Sequence, residues 1–431
     1  MIKTLRNAFK VPEMRNKMLF TLLILVIYRF GAVIPVPYVN SDVLNQLFSA
    51  GSGSFFQYMN ILSGDAFSKA TLFALSISPY ITASIVMQLL TIAIPALERL
   101  QKNGEEGRKV ITQITRYVTV GLGLLTAFGY YMYMRNYGVL TDTGVFAAIV
   151  IIACYSAGAA LIMWLAEKIN TNGIGNGISL ILFANIVTSI PTVLTMLYGY
   201  ATSAQYRSWG VVIAEVVIIV ALAIIVFDVF ITNSERRLNI QYAKKVVGRK
   251  MYGGQSSNLP IKLNMSGVMP IIFAQSIVAL PTTIALLFPT PAKGSFWEKF
   301  LNFFSYTSWF YAVLFFVLII AFAYFYIAIS FNPVEVANNL KKNGGFIPGI
   351  RPGRPTAEYI TKILNRITLI GAIALGIVAI IPLIANIITG SQLGSIAFGG
   401  SSLLILVGVI LETAREIEAQ MTMRHYKGFL E

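Results

Sequence analysis

GVVIAEVVIIVALAIIVFDVFI, Gly210–Ile231, runs directly into TNSERRLNIQYAKKVVGRK, Thr232–Lys250. The first string is long enough to cross the hydrocarbon core of a bilayer, which takes about 20 apolar residues in a helix. Its only ionisable residues are Glu215 and Asp228. The second string holds six of the 33 Lys and Arg. Short loops rich in Lys and Arg stay on the cytoplasmic side, so this pair of strings assigns an orientation as well as a span. The alternation repeats along the chain. Of the 33 Lys and Arg, 27 fall in the segments 1–17, 98–116, 167–177, 232–264, 332–366 and 412–431, which would share one side. Only Lys69, Arg135, Arg207, Lys293 and Lys299 lie in the intervening loops, and Arg29 sits inside the first span. Both termini are therefore expected in the cytoplasm.

The composition agrees. With 431 residues, 56% hydrophobic and 12% charged, and a mean hydropathy of +0.71, the chain has too few polar residues to cover a water-soluble globule. The formal charge of +15 is concentrated on one face, which points to a polyanionic partner there as well as to topology. Cys154 is alone, so no disulfide can form within the chain, and it reads as a packing residue. The basic start followed by an apolar run is not read as a secretory signal, because no small-x-small cleavage site follows and further spans do. Ile2, Leu5 and Phe9 share a helical face, which predicts a short interfacial helix ended near Pro12.

The expected fold class is an all-α polytopic membrane protein with ten transmembrane helices. They fall near 18–37, 71–94, 117–134, 146–166, 178–199, 210–231, 266–289, 309–331, 367–389 and 396–411. Pro79, Pro191, Pro270, Pro281 and Pro382 lie within them and suit a bundle around a cavity. The short outer loop at 201–208 divides the spans five and five. An odd number per half makes the halves inverted if they are related, as in inverted-repeat transport proteins, with a pathway between two half-shells. The units are then an interfacial segment 1–17, a first half 18–200, an external hinge 201–208, a second half 209–417 carrying cytoplasmic loops 233–264 and 332–366, and a tail 418–431. The outer segment 38–70 breaks the pattern of short loops. Its part 55–67 is too polar to span and too apolar for a solvated loop, which fits a re-entrant element or an ordinary interfacial helix.

Enzyme chemistry is missing from the sequence. His425 is the single histidine and alone builds neither a triad nor a metal site; no cofactor is expected. No Gly-x-x-x-x-Gly-Lys-Ser/Thr loop is present to bind ATP. Gly173-Ile-Gly-Asn-Gly177 lacks the spacing of a dinucleotide loop and reads as the cap of the fifth span. Intramembrane ionisable groups mark ion relays, yet only Arg29, Glu215 and Asp228 qualify. Thr82, Ser84 and Gln88 in the second span, and Gln275 and Ser276 in the seventh, are neutral and read either as helix glue or as a separable seam. The basic loops carry the sharpest signal. One holds Arg236, Arg237, Lys244, Lys245, Arg249 and Lys250. The other holds NGGFIPGIRPGRPTA, Asn343–Ala357, whose Pro and Gly predict a stiff loop presenting Phe346, Ile350 and Arg351 together. This pattern reads as a docking surface for an acidic protein or RNA.

Four motifs carry a family resemblance: Gly345–Gly353 (GFIPGIRPG), Pro79–Leu90 (PYITASIVMQLL), Asn172–Ser179 (NGIGNGIS) and Phe398–Leu404 (FGGSSLL). On them the chain resembles, along its whole length, the SecY/Sec61-alpha family of protein-conducting channels. The resemblance implies a clamshell of two halves around an hourglass pore for unfolded polypeptides, in the plasma membrane of a bacterium. It implies a constriction ringed by Ile81, Ile85, Leu182, Ile186, Ile272 and Ile405, where Leu182 departs mildly from the family's isoleucine. It implies a re-entrant plug carrying Phe55, Phe56, Tyr58, Met59, Ile61, Leu62 and Phe67, and a lateral gate with Thr82, Gln88, Gln275 and Ser276 that releases segments into lipid. Arg236, Arg237, Lys244, Arg249, Phe346, Ile350 and Arg351 would dock the SecA ATPase or the ribosome. SecE and SecG would be companion subunits, and a preprotein with its signal peptide the cargo. Two other classes fit the composition, a secondary transporter for small solutes and a structural scaffold. The scarcity of buried charge weighs against an ion-coupled transporter, and the proline-broken spans against a scaffold.

Overall fold

A proline opens each of two early helices. In the computed structural model, which describes residues 2–50, 60, 63–202, 210–242, 245–247, 250–252, 256–285, 295–305, 308–388 and 399–427, α1 (Ile2–Lys10) stops before Val11 and α2 (Pro12–Gly31) starts on Pro12. Proline suits a first turn because its missing N–H has no intrahelical partner there anyway. Further on, α3 (Ser41–Ala50) precedes the outer segment, and α4 (Ser78–Ala93) and α5 (Pro95–Lys102) meet at a bend of 100°. Ile94 at the break is extended, with φ −108° and ψ 112°, as a residue before proline tends to be.

The helices α6 (Gly104–Asn136), α7 (Val145–Asn172), α8 (Gly177–Thr202) and α9 (Gly210–Asn233) follow, then α10 (Met269–Ala285), α11 (Phe296–Phe303) and α12 (Trp309–Ser330). The chain closes with α13 (Pro333–Lys342), α14 (Arg354–Ile388) and α15 (Gly399–Lys427). Among the described residues, six helices are long and apolar enough to cross a membrane, or seven with the bent pair; α2, α10 and α15 stand at the other assigned spans. The exterior of α9 is apolar, with Val216, Ile219, Leu222, Val226 and Phe230 all exposed, as lipid contact requires.

Several spans differ from the sequence-based bounds. The first ends at Gly31 rather than 37, and the second starts at Ser78 rather than 71. Between them Val36 donates its N–H to Ala70 and Leu72 to Ile34, so two short stretches pair across the outer end. The hydroxyls of Ser63, Ser68 and Thr71 donate to nearby backbone carbonyls, an alternative that competes with helix. On the opposite side, α6 begins at Gly104 and α14 at Arg354, well before the apolar runs, and α15 continues to Lys427 where a tail was expected. The turn at 173–177 does cap α8: Asn170 Oδ1 accepts from Gly177 N–H at 2.7 Å, and Asn176 Oδ1 from Ile178 N–H at 3.0 Å.

The two basic loops hold a three-stranded sheet and a separate two-stranded one among the helices. β1 (Glu235–Tyr242) pairs antiparallel with β4 (Ser256–Lys262), while β2 (Lys245–Val247) pairs with β3 (Lys250–Tyr252). β5 (Gly345–Phe346), from the other loop, adds to β1 with Gln241 opposite Phe346. Leu238, Ile240 and Ile261 are buried, and an apolar cluster of Leu238, Ile261, Ile347, Ile360, Ile363, Leu364 and Ile367 joins the sheet to α14.

The largest apolar cluster draws on α2, α4, α7, α8, α9, α10, α12, α14 and α15. A second holds Phe67, Ala70 and Leu75 of the outer segment with Tyr130, Met134, Ile151 and Tyr155 of α6 and α7. Close approach there depends on Gly158, where a Cβ would stand 2.0 Å from the Leu72 carbonyl oxygen. Backbone cannot yield as a side chain does. Gly158→Ala is therefore expected to destabilise the fold by about 3 kcal/mol, read as loss of the monodisperse folded fraction in detergent on heating. An unchanged melting profile would contradict the contact.

Candidate pore, gate and docking surface

Residues four apart share a helical face, so Ile81 and Ile85 of α4 point the same way, as do Leu182 and Ile186 of α8. Ile272 of α10 and Ile405 of α15 complete the set. All six are between 1% and 5% exposed and belong to one apolar cluster, although they come from four helices. Ile81, Leu182, Ile272 and Ile405 border a cavity of about 280 Å³. Its remaining wall includes Ser76, Leu122, Leu125, Thr126 and Leu280, and three of the five candidate seam residues, Thr82, Gln275 and Ser276. The structure thus brings together ring and seam residues spread over more than 300 positions of sequence.

The other two, Ser84 and Gln88, behave differently. Gln88 Nε2 donates to Ser84 Oγ at 3.4 Å along its own helix and does not line the cavity. Ser276 Oγ likewise donates to Ile272 O at 2.8 Å. These two bonds stay within one helix, so neither has to break when the helices part.

The basic residues do not share one role. Arg236 is exposed, whereas Arg237 is engaged by Glu235, Nε to Oε1 at 2.7 Å. Alternate strand residues face opposite sides, so the two arginines do not present together. Phe346, Ile350 and Arg351 were expected to project as a set. Instead Ile350 packs against the cluster beneath the sheet and Phe346 is half-buried on β5, which leaves Arg351 as the exposed member. Gly349 and Gly353, with φ of 82° and 105°, occupy the left-handed conformations that turn the chain there. Part of the tail's charge is structural: Arg415 Nη2 donates to Thr232 O at 2.6 Å and Asn233 Oδ1 at 2.8 Å, closing the C-terminal end of α9. Burial, then the nearby Arg415 cation, holds the Lys262 ammonium below its usual range.

The model of the SecY family matches residues 71–414. The protein translocase subunit SecY of Streptomyces galbus is 43% identical over 445 residues, covering 100% of both chains. The chain belongs to the SecY family. Among solved structures, a SecY channel whose plug domain is described as stabilising the closed state and maintaining a membrane seal matches with a TM-score of 0.62 at 17% identity, over 96% of each chain. The canine Sec61 of a ribosome-channel complex from the endoplasmic reticulum matches with a TM-score of 0.58 at 16% identity, again over 96% of each chain.

For a member of the SecY family, the outer segment is the element of most interest. Phe55, Phe56, Tyr58, Met59, Ile61 and Leu62 lie outside the described residues, as do Lys244, Arg249, most of the 201–208 hinge and the side chain of His425. Phe67 is described and does not face the ring. It stacks on Tyr130 with centroids 4.3 Å apart, and Tyr130 Oη donates to its carbonyl at 2.6 Å. It anchors the segment to α6. Sequence reading missed Asn185, fully buried between Leu182 and Ile186 and bonded to Tyr28 and Ser76. An asparagine within an apolar span carries no signal that separates it from ordinary helix glue.

Proposed function

We propose that this chain is the pore-forming subunit of a passive, gated protein-conducting channel, which passes unfolded secretory polypeptides across a bacterial plasma membrane and releases transmembrane segments sideways. One observation carries this reading: six apolar side chains from four helices converge in one buried cluster beside a cavity bounded by the α4–α10 seam. A rim of branched apolar groups excludes water and ions yet yields to a chain. The clamshell halves are 18–200 and 209–417, hinged at 201–208, and 55–67 is the plug that fills the outer funnel. The basic sheet and Arg351 receive SecA or a ribosome, which supplies the energy that a chain without a nucleotide-binding loop must obtain elsewhere. SecE and SecG complete the complex, and both termini are cytoplasmic.

The reading predicts that a photoreactive residue at position 85 crosslinks a secretory chain stalled in transit, and that the yield falls when the chain is released. Crosslinks absent at 85 but present at lipid-facing Ile219 would place the polypeptide outside this ring. Saturable uptake of a small solute by the purified subunit would instead indicate a secondary transporter.

A further inference from the structure

Asn185 lies on α8 one residue before Ile186 and is fully buried. Its Oδ1 accepts from Tyr28 Oη at 2.8 Å, and its Nδ2 donates to Ser76 Oγ at 3.2 Å. Thus α2, the ring helix α8 and the segment entering α4 meet at one amide, a group that donates and accepts at once. Gly64 seals against the same place. A Cβ there would stand 3.1 Å from Asn185 Cα and 2.9 Å from Arg29 Nη1. Phe73 adds a stacked contact to Tyr28, with ring centroids 5.4 Å apart.

The same segment carries features that oppose this docking. Asp65, Ala70 and Ser76 have φ of 66°, 49° and 51°, left-handed conformations that a residue with a Cβ adopts only at a cost. Among the described residues, Arg29 Nη1 is buried without a hydrogen-bond partner. A desolvated donor on a charged group that finds no acceptor opposes the arrangement that buries it. Apolar packing holds segment 63–77 on α6 and α7, while at the ring helix the Asn185–Ser76 bond works against backbone strain and a desolvated guanidinium nitrogen. That balance is what a releasable element needs.

We propose that Asn185 is a positioning residue that sets how readily segment 63–77 leaves the ring helix, with Arg29 acting against it. The proposal rests on reading 55–67 as the seal of the outer funnel. When a polypeptide displaces the segment, the Asn185–Ser76 bond is exchanged for water, and Arg29 Nη1 gains the solvation that docking denied it. The two residues bias one equilibrium in opposite directions, so their variants should shift it with opposite signs.

The test is the substrate-free ion conductance of the purified native complex in planar bilayers. Asn185→Leu keeps the branched shape and removes both bonds, and should raise conductance about tenfold. Arg29→Met keeps an unbranched arm and removes the unsatisfied donor, so conductance should fall below the parent and opening by a precursor should slow. A misfolded channel would not become tighter. Asn185→Leu as tight as the parent, or Arg29→Met leakier, would overturn the proposal. Deletion of residues 55–62 separates the two levels. If the deletion leaks and Asn185→Leu does not, the positioning role alone fails; if the deletion leaves conductance unchanged, the sealing reading fails and the proposal with it.

Discussion

Arg351→Glu is expected to lower partner-driven translocation at least about a hundredfold while the chain still inserts and assembles. The expectation comes from how completely the neighbouring groups are satisfied. Arg354 is paired with Glu358 at 3.0 Å, and Arg237 with Glu235 at 2.7 Å, but no ion pair among the described residues engages Arg351. Its backbone is nevertheless fixed: Thr356 Oγ1 donates to its carbonyl at 2.8 Å, and the left-handed Gly349 and Gly353 stand on either side. A rigid loop that presents a solvated guanidinium loses little entropy on binding a carboxylate or phosphate. Reversing the charge juxtaposes like charges, at a cost of several kcal/mol, and each 1.4 kcal/mol is about tenfold. Arg351→Lys retains a point charge without the planar fork and should fall between. The check is precursor translocation into proteoliposomes beside partner affinity at matched protein levels; full activity of Arg351→Glu would exclude the docking role.

The helical spans were legible because their signal is length and hydrophobicity, which lipid contact demands of residues such as Ile219 and Phe230 whatever their neighbours. Where the apolar residues face protein instead, that signal misleads. Leu72, Phe73, Leu75 and Ile77 extend the apolar run of the second span, yet Phe73 is stacked on Tyr28 and the backbone there is not helical. The small sheet was hidden for another reason. Its inward residues Leu238 and Ile240 alternate over too short a stretch among charged neighbours, and β5 reaches β1 from about a hundred residues away. Pairing of that kind leaves no local trace. The ring was not legible from pattern at all: Ile85 and Ile405 look like any buried isoleucine, and only the family resemblance singled them out. Asn185 had neither aid.

Joining the two basic loops in one sheet changes how force reaches the seam. β4 ends at Lys262, and Ser234 and Leu263 are tied by a backbone hydrogen bond of 2.8 Å just before the chain enters α10. A partner that moves the sheet thus acts on a short connection to the helix that carries Ile272, Gln275 and Ser276. Because the Ser276 hydroxyl bonds within its own helix, it adds no polar bond across the seam against such a movement.

Polar substitution in the ring should have the largest effect on the resting channel. Ile85 and Ile405 are 2% and 1% exposed in the large apolar cluster. An asparagine placed there buries an amide that lacks partners when the ring is shut, at about 1–3 kcal/mol on mutational scales. Hydration of the open ring removes that cost. Because the penalty falls on the shut state alone, the equilibrium moves toward the open state by about tenfold to a hundredfold. Ile85→Asn and Ile405→Asn are therefore each expected to raise substrate-free conductance by that factor and to let precursors with defective signal sequences pass. Two such amides close enough to hydrogen-bond would relieve each other, so the double variant should leak less than the product of the singles. Ile85→Leu keeps the ring apolar at the same volume and should leak far less than Ile85→Asn, which separates polarity from shape. If both asparagine variants retain parental conductance and signal-sequence selectivity, the barrier to ions lies elsewhere than at these six residues.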